Sequence, residues 1–242
     1  DVCSSDLRAR SRINREIEAA DVILCPSFFV RDTMIANGIP EHKCFVSHFG
    51  VNTDIFKKRA TLPDTPRFIC VGSLTVRKGQ QYLLRAFQKV KALMPAAELI
   101  CVGGIRADFA KEMKMWKGSF THYASVPHAE LAKMLAECTA FILPSLEEGF
   151  ARVLSEAMAV GLPILASYES GATTVVRDQV EGIIIQPRDI DGIAQALFRM
   201  ACNPAENLAM GEAAYLAGGK SNTWADYTFR LINEYSRRFS TL

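Results

Sequence analysis

The sequence predicts an α/β protein: a parallel β-sheet covered by helices on both faces. Three observations predict it. Short apolar runs recur at 67–72, 97–102, 120–123, 140–143, 163–166 and 182–185, the length expected of buried strands. Helix-period stretches lie between most of them, at 78–91, 107–116, 128–137, 150–160 and 173–177, and strands joined by helical crossovers run parallel. At 242 residues, 49 % hydrophobic and 22 % charged, the chain can also bury a sheet on both sides.

Taken in order, Asp1-Val-Cys-Ser-Ser-Asp-Leu7 matches a translation of the end of a common sequencing adapter. Residues 1–7 are therefore expected to be a scar at the edge of a truncated environmental gene, and are set aside from the fold. A helix is expected over 8–20, a strand over 22–25, a Pro-Ser turn, and a helix over 28–37 stopped by Gly38. A second short strand follows at 44–47, and 57–66, charged and Pro-bearing, reads as a linker. The helix over 78–91 presents Tyr82, Leu83, Ala86, Phe87 and Val90 on one face. Helical segments run on from Ile190, broken at Asn203-Pro204, and end in 224–239 with Trp224, Tyr227, Phe229, Leu231, Ile232 and Tyr235. There is no internal repeat and no low-complexity segment.

A formal net charge of +2 favours neither nucleic acid nor membrane as an obligate partner. No apolar run approaches the roughly 18 residues of a membrane span. The seven Cys are scattered without a C-x-x-C pair, and Cys70 and Cys101 sit inside strand-like runs, where a thiol acts as a small hydrophobe. A reduced, cytoplasmic protein is the simplest inference, and these Cys offer no metal site.

The chemistry concentrates where a strand ends. Pro144-Ser-Leu-Glu-Glu-Gly-Phe-Ala-Arg-Val-Leu-Ser-Glu156 reads as strand, loop and helix, with the helix beginning near Phe150. Glu148 lies in the loop and Glu156 inside the helix, leaning back toward the helix start. Both can address one ligand there, where free N–H groups and the helix dipole suit phosphate. Phosphate flanked by two carboxylates describes a sugar nucleotide, one acid for hexose hydroxyls and one for the ribose diol. Two acids beside a helix start are ordinarily solvated charges, so the flanking residues decide. Upstream, Val71-Gly72-Ser73-Leu-Thr-Val-Arg77-Lys78-Gly79 brings two cations to another strand-to-helix loop, and it is not a G-x-G-x-x-G fingerprint. His122, in the loop after the 120–123 strand, reads as structural, and Gly103-Gly104 as a close turn.

The run Ser145-Leu-Glu-Glu-Gly-Phe-Ala-Arg-Val-Leu-Ser-Glu-Ala-Met-Ala-Val-Gly-Leu-Pro-Ile164 resembles the E-x7-E signature of retaining GT-B glycosyltransferases of family 4. The 71–79 loop is similar to that family's basic diphosphate loop, with Lys78 on its Lys, Arg77 as a second cation, and Ser73 where many members carry Arg. The segment 20–56 resembles the end of the family's acceptor-side domain, with Asn52 replacing the usual Asp. After the 163–166 strand, Ser170 and Thr174 depart from the family pattern at scaffold positions.

The resemblance implies a GT-B type fold: a Rossmann-like donor-binding domain over 67–220, a remnant of a second such lobe over 8–56, a linker over 57–66, and a last helix over 221–242 that crosses back. It implies transfer of a hexose from a nucleotide-diphosphate sugar to an acceptor hydroxyl, with retained configuration and without metal or cofactor. The expected donor is a UDP-sugar, and the acceptor a saccharide, a lipid-linked sugar or a small molecule. Catalytic roles fall on Glu148, Lys78 and Arg77. Donor contacts fall on Glu156, Gly149, Phe150, Ala151, Gly72 and Ser73, with Ala124 and Val126 against the base. Arg152 is a further candidate for phosphate or acceptor. The implied location is cytoplasmic, with the full-length protein able to sit at the inner membrane face. Two alternatives are an epimerase acting on the same ligand and a fragment that binds a nucleotide sugar without catalysis; the truncated chain alone is expected to be inactive.

Overall fold

The computed structural model describes residues 7–239 apart from Lys117 and Ser221, with side chains from Arg12 onward. Of the expected scar at 1–7, residues 1–6 lie outside the described residues, and Leu7 belongs to the first helix. The amino-terminal part comprises α1 (Leu7–Ala19), β1 (Ile23–Cys25), α2 (Phe28–Ala36) and β2 (Cys44–Val46), with β1 and β2 paired in parallel. Ser27 caps α2, its Oγ accepting from the Val30 N–H at 3.2 Å.

The main sheet has six parallel strands: β3 (Arg67–Val71), β4 (Glu98–Val102), β5 (Thr121–Tyr123), β6 (Ala140–Leu143), β7 (Ile164–Ser167) and β8 (Gly182–Ile185). Their spatial order is β5-β4-β3-β6-β7-β8. The chain starts at the middle, winds out to β5, then returns to β6 and winds the other way. The reversal between β3 and β6 is a topological switch point, where loops from neighbouring strands diverge and leave a crevice.

Alternation along the strands sorts the core into two layers. Phe68, Cys70, Leu99, Cys101, Ile142 and Leu165 face α3 (Gln80–Leu93) and α7 (Ile190–Cys202). Ile69, Phe141, Leu143, Ile164 and Ala166 face α5 (His128–Ala136) and α6 (Arg152–Val160). Leu83, Ala86, Phe87 and Val90, read from the sequence as a core face of α3, are all buried. Cys70 and Cys101 are register partners on β3 and β4, and burial pushes the Cys70 thiol up to about 12, so it stays protonated and unreactive.

Several helix limits differ from the sequence reading. The segment expected over 78–91 begins as a 3₁₀ turn, Val76–Lys78, followed by Gly79 in the left-handed region (φ 72°) and then α3. The segment expected over 107–116 is a 3₁₀ turn, Ala107–Phe109, continued by α4 (Ala110–Met115). No α-helix forms over 173–177; a 3₁₀ turn, Ala172–Thr174, stands there, because Gly171 at φ 68° and the β-branched Thr173-Thr174-Val175-Val176 run disfavour continuation. The carboxyl-terminal part runs through α8 (Pro204–Ala214), a π-helical turn, Tyr215–Gly219, and α9 (Trp224–Phe239).

α9 lies against the amino-terminal part. Arg230 donates to the His48 carbonyl at 2.9 Å, Arg238 to that of His42 at 2.5 Å, and the Val51 N–H to the Asn222 carbonyl at 2.9 Å. Gly50 permits the approach, since a Cβ there would meet Thr223 O at 2.6 Å. The outer face of α9 leaves Phe229 65 % and Ile232 56 % exposed, an apolar stripe in contact with solvent.

Gly79 joins the two halves of the switch point. A Cβ on it would lie 1.9 Å from Pro144 O at the end of β6, and its positive φ disfavours any L side chain. Gly79→Ala is expected to lower stability by ~2 kcal/mol or more, seen as a fall in Tm of ~4 °C or more for a chain of this size. A melting temperature equal to wild type contradicts the contact.

Candidate active site

Loops leaving the carboxyl ends of β3 to β6 enclose a cleft of about 610 Å³ at the switch point. Gly72, Ser73 and Lys78 line it from the loop after β3, and Ala124 and Val126 from the loop after β5. Glu148, Phe150 and Ala151 line it from the loop after β6, with Glu156 on α6. Arg77 and Gly149, also expected to serve the site, are not among the residues that line it. A second concavity of about 540 Å³ opens at the other end of β4 and β5, but its cation, Lys91, is engaged with the Ala97 carbonyl at 2.7 Å.

The loops after β3 and β6 interlock. The Leu146 N–H donates to the Arg77 carbonyl at 2.8 Å, and Arg77 Nη1 donates to the Glu147 carbonyl at 2.7 Å. Glu148 Oε2 is ion-paired to Lys78 Nζ and lies 3.3 Å from Arg77 Nη1. Lys78 and Glu148 side chains are 14 % and 15 % exposed, so the pair is shielded rather than a solvent-screened surface bridge. On its other side the Glu148 N–H donates to the Glu169 carbonyl at 3.0 Å. Gly72 and Gly103 bring β3 and β4 together at the floor, where a Cβ on Gly103 would sit 2.1 Å from Gly72 O.

α6 begins at Arg152, two residues later than the sequence suggests, and Ala151 supplies no side-chain cap. Its first N–H groups therefore open on the cleft with the positive end of the helix dipole. The shift brings Glu156 nearer the helix start: it lies about 6 Å along α6 from Arg152, at about 1.5 Å per residue. No described residue makes an ion pair with Glu156. Burial raises its pKa, while His128 and Arg152 act in the opposite direction.

His128, at the start of α5, is a cleft residue that the sequence reading did not select. Only its position directly after Val126-Pro127 hinted at it, and its approach to Glu156 depends on how α5 packs on α6. Arg152 and Phe49 also line the cleft. His122 Nε2 is 2.8 Å from the Gly103 carbonyl, a structural contact. His48, whose ring lies 6.1 Å from that of Phe150, is held down to about 4 by burial and by Arg230, so it is neutral at neutral pH.

Residues 51–217 match the family described as Glycosyl transferases group 1. The chain belongs to this family. Among curated relatives it is 28 % identical to a GDP-mannose-dependent alpha-(1-6)-phosphatidylinositol monomannoside mannosyltransferase of Mycolicibacterium smegmatis, over 85 % of this chain and 59 % of that protein. It thus spans about 59 % of that relative's length. Among solved structures it superposes on Alr3699/HepE of Anabaena, in complex with UDP and glucose, with TM-score 0.84, 18 % identity, and coverage of 97 % of this chain and 68 % of that one. Sucrose-phosphate synthase of Thermosynechococcus elongatus gives TM-score 0.82 at 23 % identity, covering 99 % and 65 %. These similarities establish a GT-B type α/β fold for this glycosyltransferase-family chain.

The raised pKa of Glu156 has a consequence for stability. Its folded value lies above the unfolded one, so its contribution is fully present below the ordinary carboxylate range and is lost as pH rises through the folded value. At neutral pH the buried carboxylate destabilises the unliganded fold. Glu156→Gln is expected to raise Tm near neutral pH, with the difference from wild type shrinking as pH falls to about 4. Thermal melts of both proteins across that range test it; a pH-independent difference contradicts it.

Proposed function

We propose that this chain carries the donor-binding part of a retaining glycosyltransferase that moves a hexose from a nucleotide-diphosphate sugar to an acceptor hydroxyl. The observation that carries the reading is that Lys78 and Arg77 pair with Glu148, and that Lys78 and Glu148 line one cleft with Glu156 and the start of α6. Cations and open helix N–H groups suit a diphosphate, and the carboxylates suit the hydroxyls at its two ends. Membership in a glycosyl transferase family supports transfer over epimerisation, as does the curated relative named as a mannosyltransferase.

In this reading the ion pair of the free protein is exchanged on binding. Lys78 and Arg77 turn to the diphosphate, and Glu148 is released to the hexose hydroxyls together with the main chain at Gly149 and Phe150. Glu156 takes the ribose, and the loop carrying Ala124 and Val126 faces the base. The bond from C1 to the phosphate oxygen breaks, and C1 bonds to the acceptor oxygen on the same face. The hydroxyl proton leaves with the diphosphate. Lys78, Arg77 and the α6 dipole stabilise the charge that develops on the leaving group, by preorganisation and without a metal or cofactor. Glu148 is a donor-binding residue here, not a nucleophile. The acceptor, whether saccharide, lipid-linked or small, is met by the second lobe, of which this chain contributes residues 8–56. Among the described residues no helix is long and apolar enough to cross a membrane; cytoplasmic placement, at the inner membrane face or away from it, is part of the proposal. The donor is proposed as a UDP-sugar, as bound by HepE, with GDP-mannose, named for the mycobacterial relative, as the competing choice.

In the full-length enzyme, Glu148→Gln and Lys78→Ala are each expected to reduce transfer by about 10² or more, the scale of losing one preorganised charge contact. In this chain Glu148→Gln frees Lys78, so bare UDP is expected to bind several-fold more tightly than to wild type, while Lys78→Ala weakens it. Glycosyl transfer assays and calorimetry with UDP measure these effects. Wild-type turnover in both variants refutes the site.

A further inference from the structure

The amino-terminal part does more than lie beside the donor lobe: it grips the loop that holds the sugar-facing main chain. Ser27 is fully buried. Its Oγ accepts from the Val30 N–H as the α2 cap and donates to the Gly149 carbonyl at 2.5 Å, across 122 residues of chain. One residue on, the Phe28 N–H, an otherwise open donor at the start of α2, bonds Thr174 Oγ1 at 3.0 Å. α2 is thereby stapled to the loop after β6 and to the loop after β7.

Shape reinforces the chemistry. Gly171, at φ 68°, lies so close that a Cβ would meet Gly149 O at 2.2 Å and Ser27 Oγ at 3.0 Å. A Cβ on Gly149 would meet Val30 Cγ2 at 3.1 Å. Three segments thus close around the Gly149 carbonyl, and Ser27 supplies the hydrogen bond that fixes its direction.

That direction has a consequence on the other side of the peptide. No described peptide bond is cis, and in a trans peptide the N–H points opposite to the C=O. With the Gly149 carbonyl turned to Ser27, the Phe150 N–H turns away from Ser27, and Phe150 is itself a residue of the cleft wall. No described group accepts from the Phe150 N–H. We propose that Ser27 is a positioning residue for donor binding: by holding the Gly149 carbonyl, it presents the Phe150 N–H as a preorganised donor to the sugar. This rests on the donor-binding reading above and adds to it that sugar recognition depends on docking of α2.

The test separates the sugar from the nucleotide. Calorimetry on this chain with UDP and UDP-glucose, and with GDP and GDP-mannose, yields for each pair the gain in affinity due to the sugar. Ser27→Gly removes the hydroxyl while keeping a residue tolerated at a helix cap, and Ser27→Ala removes it with a loss of capping. Both are expected to reduce the sugar's gain by about fivefold to tenfold, the worth of one neutral hydrogen bond, with the bare nucleotide within about twofold of wild type. Ser27→Thr, which retains the hydroxyl, is expected to restore the gain. In wild type, hydrogen exchange at the Phe150 amide is expected to slow with the sugar nucleotide and not with the bare one, a readout independent of how the variants fold. A sugar gain unchanged in folded Ser27→Gly, or equal Phe150 exchange with both ligands, overturns the role of Ser27 while leaving the donor site standing. No binding of either pair by wild type overturns the donor reading and this inference with it.

Discussion

The pairing of Lys78 and Arg77 with Glu148 is the constraint on which the cleft depends. Lys78 and Glu148 lose hydration in this shielded place, where a lone charge would be disfavoured by about several kcal/mol, while Arg77 keeps much of its contact with solvent. Opposite charges from neighbouring loops remove that penalty and, in doing so, lock the loop after β3 to the loop after β6. The backbone supports the same lock through Leu146 and Arg77, and the missing side chain of Gly79 lets the two loops touch. In the donor-binding reading proposed above this interlock is exchangeable, because a diphosphate would offer the cations a stronger partner than one carboxylate.

Glu156 shows the opposite economy of charge. It stands half-buried without an ion-pair partner among the described residues, and its raised pKa records the strain of keeping a carboxylate there. His128 and Arg152 moderate that strain without removing it. In the donor-binding reading proposed above, a ligand hydroxyl would relieve that disadvantage, so some fold stability would be traded for binding. The same trade is visible at the α6 N-terminus, which lacks a capping side chain where a cap would fill the space over the helix.

Long-range contacts tie the periphery to this centre. Arg230 and Asn222 fasten α9 to the 48–51 segment, and that segment in turn places Phe49 against Phe150, with ring centroids 6.1 Å apart. Ser27 reaches the same loop from α2. The backbone at Gly149 and Phe150 is therefore held from the six-stranded lobe, from the amino-terminal part and, through Phe49, from the segment bonded to Asn222 and Arg230. Those parts meet the cleft loop by direct packing and hydrogen bonding.

The strands and most helices were legible in the sequence because their signals are local: apolar runs such as 140–143 and the periodic face of α3 reflect burial within one element. Lys78, Arg77, Glu148 and Glu156 were legible as candidates because charged residues in strand-to-helix loops stand out, and because their surroundings resemble a known family. The start of α6 was misplaced by two residues, since Phe150 and Ala151 are apolar enough to extend the periodicity but are held in the loop by tertiary contacts. The absent helix near 173–177 fails for a local reason, and its β-branched residues could have warned of it. Which groups meet was a different matter. That Glu148 takes both cations, that His128 approaches Glu156, and that Ser27 holds Gly149 depend on strand order and on segments brought together across 28 to 122 residues. Sequence alone determined which residues could form elements and carry charge; only the tertiary structure decided their partners, because partners are chosen by the packing of the whole sheet and not by neighbours in the chain.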